Sequence, residues 1–148
     1  MTSIGEDAFS DTGLTSITIP ASVTSIGEDV FLNCDNLASI TVEDGNTVYD
    51  SRNGCNAIIE TLTNMLIIGC KNSTIPASVT SIGAWAFYTT DLTSIEIPAS
   101  VTSIGAWAFG VTGLTSIEIP ASVTSIGENV FLNCDNLASI TVEAGNTV

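Results

Sequence analysis

The chain of 148 residues has no histidine and only two basic residues, against 16 acidic ones. Without histidine a Cys/His nucleophile pair is excluded outright. The resulting net charge of −14 repels phosphate backbones and anionic lipid, so neither nucleic acid nor a bare membrane surface suits it as a partner. Cationic patches and divalent metals stay compatible with that charge. Charged residues make up only 12% of the chain, about half the usual share. Serine and threonine hydroxyls must therefore supply much of the wetted surface, and threonine also favours strands. No apolar run approaches the ~20 residues of a membrane-spanning helix, so direct membrane insertion is not expected. The opening MTSIGEDAF has no basic-then-apolar signal pattern. Met1 stands where other repeats carry Val23, Val79, Val101 and Val123, which reads as a start placed inside an array, with any signal or anchor cut away.

What the sequence has in abundance is itself. LTSIEIPASVTSIG occupies residues 92–105 and again 114–127, and the copy at 14–27 differs only by Thr18 in place of glutamate. Residues 1–48 also align without a gap on 101–148, differing only at positions 1, 6, 7, 10, 11, 18, 29 and 44. A 22-residue period of this kind signals a solenoid, because one short unit cannot bury its apolar face alone and must stack on a neighbour. Function then belongs to a surface, and the pattern implies no enclosed pocket.

Within a unit, Leu92, Ile95 and Ile97 follow an LxxLxL spacing that sends Ile95 and Ile97 to one side of a short strand and Ser94 and Glu96 to the other. Pro98 ends that strand. Val101 and Ile104 mark a second strand, Gly105 breaks it, and residues 106–109 are expected to form one helical turn whose Ala108 and Phe109 close the core. The TSIG anchor recurs at Thr2, Thr24, Thr80, Thr102 and Thr124, and the step from Thr24 to Thr80 is about 34 residues too long. The excess, residues 43–74, reads as a β-hairpin with arms at 56–60 and 65–69 and a polar turn at 61–64. A turn centred between Leu62 and Thr63 pairs Ile59 with Leu66, Ala57 with Ile68 and Cys55 with Cys70, all on one face.

The units, with their LTSIxIPxSVTSIGxxAF signature, resemble the BspA-like leucine-rich repeats of bacterial surface proteins. The segment NxxYDSRNxCNAIIET followed by LIxGCKNxxIP resembles an insert recurrent in those arrays. The resemblance implies a single leucine-rich-repeat solenoid over 1–148, built of short parallel strands with single helical or 3-10 turns and one hairpin insertion. It further implies a cell-surface or secreted, non-enzymatic parent without cofactor, whose partners are host matrix or other surface proteins. It defines no binding residues.

Candidate sites come from departures within the repeat. Trp85 and Trp107 are 22 residues apart, so they fall in register on adjacent turns roughly 5 Å apart. Sister units place Asp7, Asp29 and Asn129 there. Either the two indoles form an exposed interaction hot spot, for protein or more weakly for carbohydrate, or they cover each other as packing. Glu96 and Glu118 are likewise in register, and a solvated ladder of like charges or a cationic-ligand patch suits them better than an acid/base pair, for which no pocket is implied. Cys34 and Cys134 lie about four turns apart, ~19 Å, too far to bond, and read as small buried hydrophobes. Cys55 and Cys70 are either a disulfide closing the hairpin or two apolar thiols on one face. Glu43-Asp44-Gly45-Asn46 reads as a turn, and Arg52 as a local partner of Asp50. The ends of the array leave strand edges uncovered, so end-to-end self-association into a fibre is the alternative to adhesion.

Overall fold

In a computed structural model, which describes all of residues 1–148, the chain winds as a β-solenoid of about six turns. One side of the coil carries β2 (Ser16–Ile19), β4 (Ser39–Val42), β10 (Ser116–Ile119) and β12 (Ser139–Val142). These pair in parallel, β2 with β4 and β10 with β12, at shifts of 23 residues such as Ser16 to Ser39. A second side carries the TSIG strands β1 (Ser3–Ile4), β3 (Ser25–Ile26), β8 (Ser81–Ile82), β9 (Ser103–Ile104) and β11 (Ser125–Ile126). Here equivalent residues stack on one another, Ser81 on Ser103 on Ser125. The alternation of the sequence is realised directly: Ile104, Ile117 and Ile119 are buried while Thr102, Ser116 and Glu118 are exposed.

Turns approach so closely on this second side that only glycine fits. A Cβ added to Gly27, Gly105 or Gly127 would lie 2.4–2.5 Å from a backbone nitrogen of the preceding turn. The G of TSIG is thus a consequence of stacking, not of a bend.

The third side corrects the expected helical turn. Residues 106–109 form a tight turn in which Trp107 (φ 60°) is left-handed, and Val111 (φ 54°) is left-handed four residues on. Every turn repeats this pair: Asp7 and Asp11, Asp29 and Asn33, Trp85 and Thr89, Asn129 and Asn133. The conformation is fixed by neighbours. The N–H groups of Trp85, Phe87 and Thr89 donate to the carbonyls of Ala106, Ala108 and Gly110 at 2.8–3.1 Å, and those of Trp107, Phe109 and Val111 donate one turn further along. The helix content of the chain is a single 3-10 turn, Arg52–Gly54.

The hairpin forms as the sequence predicts, with β6 (Ala57–Glu60) antiparallel to β7 (Met65–Gly69), joined by β5 (Tyr49–Asp50). It does not branch off the solenoid. Met65 and Leu66 pair with Ser81 and Ile82, so the strand order runs β11, β9, β8, β7, β6, β5, and the hairpin occupies the place of a repeat strand. Both its faces are covered. Ala57, Ile59 and Leu66 join the larger core cluster of the C-terminal turns, whereas Ile58 joins the smaller cluster of the N-terminal turns.

The register differs from the expected one at a single point. Ile59 opposes Leu66 as predicted, but Ile58 opposes Ile68 and Ala57 opposes Gly69, which leaves Ile67 as a bulge. One extra residue reverses the facing of everything beyond it. Gly69 is turned to the larger cluster, where a Cβ would stand 2.0 Å from the Phe87 ring. Cys70 is turned the other way.

Candidate functional site

Trp85 and Trp107 stack face to face, with centroids 4.9 Å apart and planes 4° from parallel. Tyr88 stands edge-on to both, at 4.7 Å from Trp85 and 5.8 Å from Trp107. Trp85 keeps 45% of its surface in solvent. The backbone explains how unusual this tier is. Left-handed φ is where Asp and Asn are enriched and where a bulky side chain is a genuine outlier. The three sister turns place Asp7, Asp29 and Asn129 at this position, whereas these two hold tryptophan at φ 62° and 60°. Such strain is on the order of 1–3 kcal/mol per residue and concentrates at functional sites. At the second left-handed position Thr89 and Val111, both β-branched, replace the Asp or Asn of the other turns.

Beside this tier lies a feature the repeat pattern did not imply. Phenylalanine rings stack along the coil, Phe9 on Phe31 at 5.7 Å and Phe87 on Phe109 on Phe131 at 5.2 and 5.9 Å. Between Phe31 and Phe87 the hairpin interrupts the column, because its strands replace a repeat strand but carry no tight turn of their own. A cleft of about 570 Å³ opens there. Asp29, Phe31 and Leu32 line one wall, Trp85 and Tyr88 the other, with Ile67 and Ile68 at the base. The walls meet at one end, where the Asn33 N–H donates to Thr89 Oγ1 at 2.9 Å.

The other candidates are more ordinary. Glu118 lies in β10 opposite Thr141. Residues 94–97, which carry Glu96, make no backbone hydrogen bond, the last link between the two strands being Thr115 N–H to Thr93 O at 3.3 Å. The ladder that would hold Glu96 in register with Glu118 is therefore not formed. Both residues are exposed. Glu96 instead borders a shallow groove with Lys71, Asn72 and Ser94.

Cys55 and Cys70 are both free thiols. The Ile67 bulge sets Cys55 in the larger core cluster and Cys70 in the smaller, so the expected pairing on one face is not realised. Cys55 Sγ donates to Ala57 O at 3.7 Å and Cys70 Sγ to Asn56 O at 3.3 Å. Burial pushes both thiols up from their ordinary range. Cys34 and Cys134 do more than fill space. Each donates to the carbonyl of a phenylalanine in the turn before, Phe9 or Phe109, at 3.0 Å, and contacts Thr12 or Thr112 at 3.3–3.4 Å. Arg52 closes on Asp50 as expected, Nε to Oδ1 at 2.7 Å, and also ties Asn64 Oδ1 at 2.8 Å. Burial pushes the Asp50 carboxyl up, but its hydrogen bonds with Arg52 outweigh this and leave it below the usual range.

Stacked short strands, asparagine-rich turns and a hairpin insert define a leucine-rich-repeat solenoid. The chain belongs to the BspA-type leucine-rich repeat family, whose model matches residues 2–67 and 65–148. Among solved structures it is similar to a leucine-rich repeat protein from Eubacterium ventriosum, with 30% identity, a TM-score of 0.79, and coverage of 97% of this chain and 40% of that one. It also shares its fold with the pneumococcal vaccine antigen PcpA, at 21% identity and a TM-score of 0.68, over 98% of this chain and 43% of that one. The chain thus spans about two fifths of the length of these structures. No curated protein sequence matches it. Repeat regions of this family and fold are typically non-enzymatic modules for protein interaction.

Proposed function

We propose that this chain is part of a cell-surface or secreted bacterial protein and binds a protein partner, such as a host matrix protein, through the tier of Trp85, Trp107 and Tyr88. One observation carries the reading. Two strained positions that sister turns fill with aspartate or asparagine hold stacked indoles instead, Trp85 exposed and Trp107 partly buried, and tryptophan is among the residue types enriched at interaction hot spots. Surface-immobilised human matrix proteins, tested one by one against the wild type and a Trp85→Asn/Trp107→Asn variant, provide the test. Binding by the wild type that falls at least tenfold in the variant supports the reading, since hot-spot truncations cost about 2 kcal/mol or more. Equal binding by both proteins contradicts it.

A further inference from the structure

The cleft beside the tryptophan tier is lined by three carboxylates and no cation. Glu28, Asp29 and Glu60 all border it, while the lysine and the arginine of the chain lie elsewhere. Glu28 and Asp29 are exposed, and Glu60 is partly so. On the opposite wall Trp107 covers one face of the Trp85 indole at 4.9 Å. Trp85 itself lines the cleft.

The backbone of both walls is also unsatisfied in part. Where a second tight turn stacks directly on the first, the left-handed residue and the one two positions later donate their N–H groups to it: Asp7 to Glu28 O, Phe9 to Val30 O, Trp107 to Glu128 O and Phe109 to Val130 O. The equivalent N–H groups of Asp29 and Phe31 make no hydrogen bond within the protein. Across the cleft, the carbonyls of Ala84 and Tyr88 also go unused, although their counterparts Ala106 and Gly110 accept from Trp85 and Thr89. One wall therefore offers two donors and the other two acceptors, the Ala86 carbonyl between these being taken by Gly69 N–H at 2.7 Å. A peptide backbone carries both donors and acceptors, as in strand addition to an open edge, and its side chains add the rest.

We propose that this cleft is a docking site for a basic peptide segment of a protein partner, with an arginine or lysine side chain held between the face of Trp85 and the carboxylates of Glu28, Asp29 and Glu60. The inference rests on the protein-binding reading above and names the chemistry of the partner. A cation over a tryptophan face contributes about 0.5–2 kcal/mol depending on desolvation, and nearby carboxylates add charge-assisted hydrogen bonds. A neutral or acidic segment gains neither.

Trp85 lines the cleft and Trp107, the other tryptophan of the chain, stacks on it, so intrinsic fluorescence reports on the site. The test titrates the full chain with three peptides, acetyl-Gly-Val-Arg-Val-Gly-amide and its citrulline and glutamate analogues, at 150 mM salt. The arginine peptide should change the emission saturably and bind about tenfold more tightly than the citrulline peptide, as ~1.4 kcal/mol implies. A Glu28→Gln/Glu60→Gln variant should lose at least fivefold. An Asp44→Asn/Asp135→Asn variant removes the same number of charges from exposed sites elsewhere and should bind as the wild type does. Equal binding of the arginine and citrulline peptides, or equal losses in the two double variants, overturns the proposal. So does a shift with chitotriose in the absence of one with the arginine peptide, which would assign the cleft to carbohydrate. Circular dichroism confirms that each variant is folded. If a matrix protein binds through the tryptophans while the arginine peptide does not bind, the cleft proposal fails and the wider reading stands. If neither binds, both fail.

Discussion

Replacing Gly105 with alanine tests the stacking of the turns at its tightest point. A Cβ at that position lies 2.4 Å from the backbone nitrogen of Ala84 and 2.7 Å from the carbonyl carbon of Gly83. Non-bonded heavy atoms rest at about 3.5 Å, so two turns must part by roughly 1 Å. No side chain can swing aside, because both partners are backbone. Parting also stretches the bond from Gly105 N–H to Ile82 O, now 2.8 Å. Overpacking costs about 1–3 kcal/mol and the weakened hydrogen bond about 1 more, so a loss of roughly 2–4 kcal/mol is expected. The repeat supplies its own controls. Gly5, at the same position of TSIG, has nothing within 4 Å of its added Cβ and no left-handed φ. Alanine there should be neutral or stabilise by up to ~1 kcal/mol through the unfolded state. Gly83, whose nearest neighbour is Leu66 O at 3.2 Å, should fall between them. Urea unfolding followed by circular dichroism measures all three. Equal losses at Gly5 and Gly105, or none at Gly105, would refute the stacking geometry.

Three further outcomes follow from the same contacts. Ile104, 2% exposed within the larger core cluster, should tolerate aspartate poorly, Ile104→Asp costing about 3 kcal/mol or more as a buried unpaired charge, measured by the same unfolding assay. Cys55 and Cys70 are buried thiols whose pKa burial raises, so iodoacetamide at pH 8 should label them only after unfolding; rapid labelling of the folded chain would contradict their placement. The stability linked to their raised pKa is present below the unfolded value near 9 and is lost as pH rises beyond it. The Asp50 carboxyl is depressed, so its contribution is present above 3.8 and is lost on acidification. The decline in melting temperature below pH 4 should therefore be shallower in Asp50→Asn.

Much of this was legible in the repeats. The strands, the exposed serine and threonine positions and the hairpin arms follow from periodicity, and Ile59 does oppose Leu66. The bulge at Ile67 was not legible, because both registers bury isoleucine and only the contact of Gly69 with Phe87 tells them apart. The left-handed turns left a signal that was open to misreading. Asp7, Asp29 and Asn129 look like markers of exposure, yet these residue types are also the ones that tolerate positive φ, and tryptophan at Trp85 and Trp107 hides the pattern. Alternation puts Ile95 and Ile97 on one side of their strand, yet Ile97 is buried and Ile95 only partly so. The cleft also escaped notice, since it arises from something missing: a segment of about 34 extra residues that brings strands but no tight turn.

The tryptophan tier should matter for what it presents to solvent more than for what it holds together, and urea unfolding of Trp85→Asn/Trp107→Asn beside Phe109→Ala measures this directly. Phe109 is fully buried, and its loss should cost about 3–5 kcal/mol. Removing both indoles forfeits a stack and partial burial but relieves two left-handed strains of about 1 kcal/mol or more each, so the double variant should lose less than the single Phe109→Ala. A double variant less stable than Phe109→Ala would make the tryptophans packing residues and contradict their assignment as a binding surface.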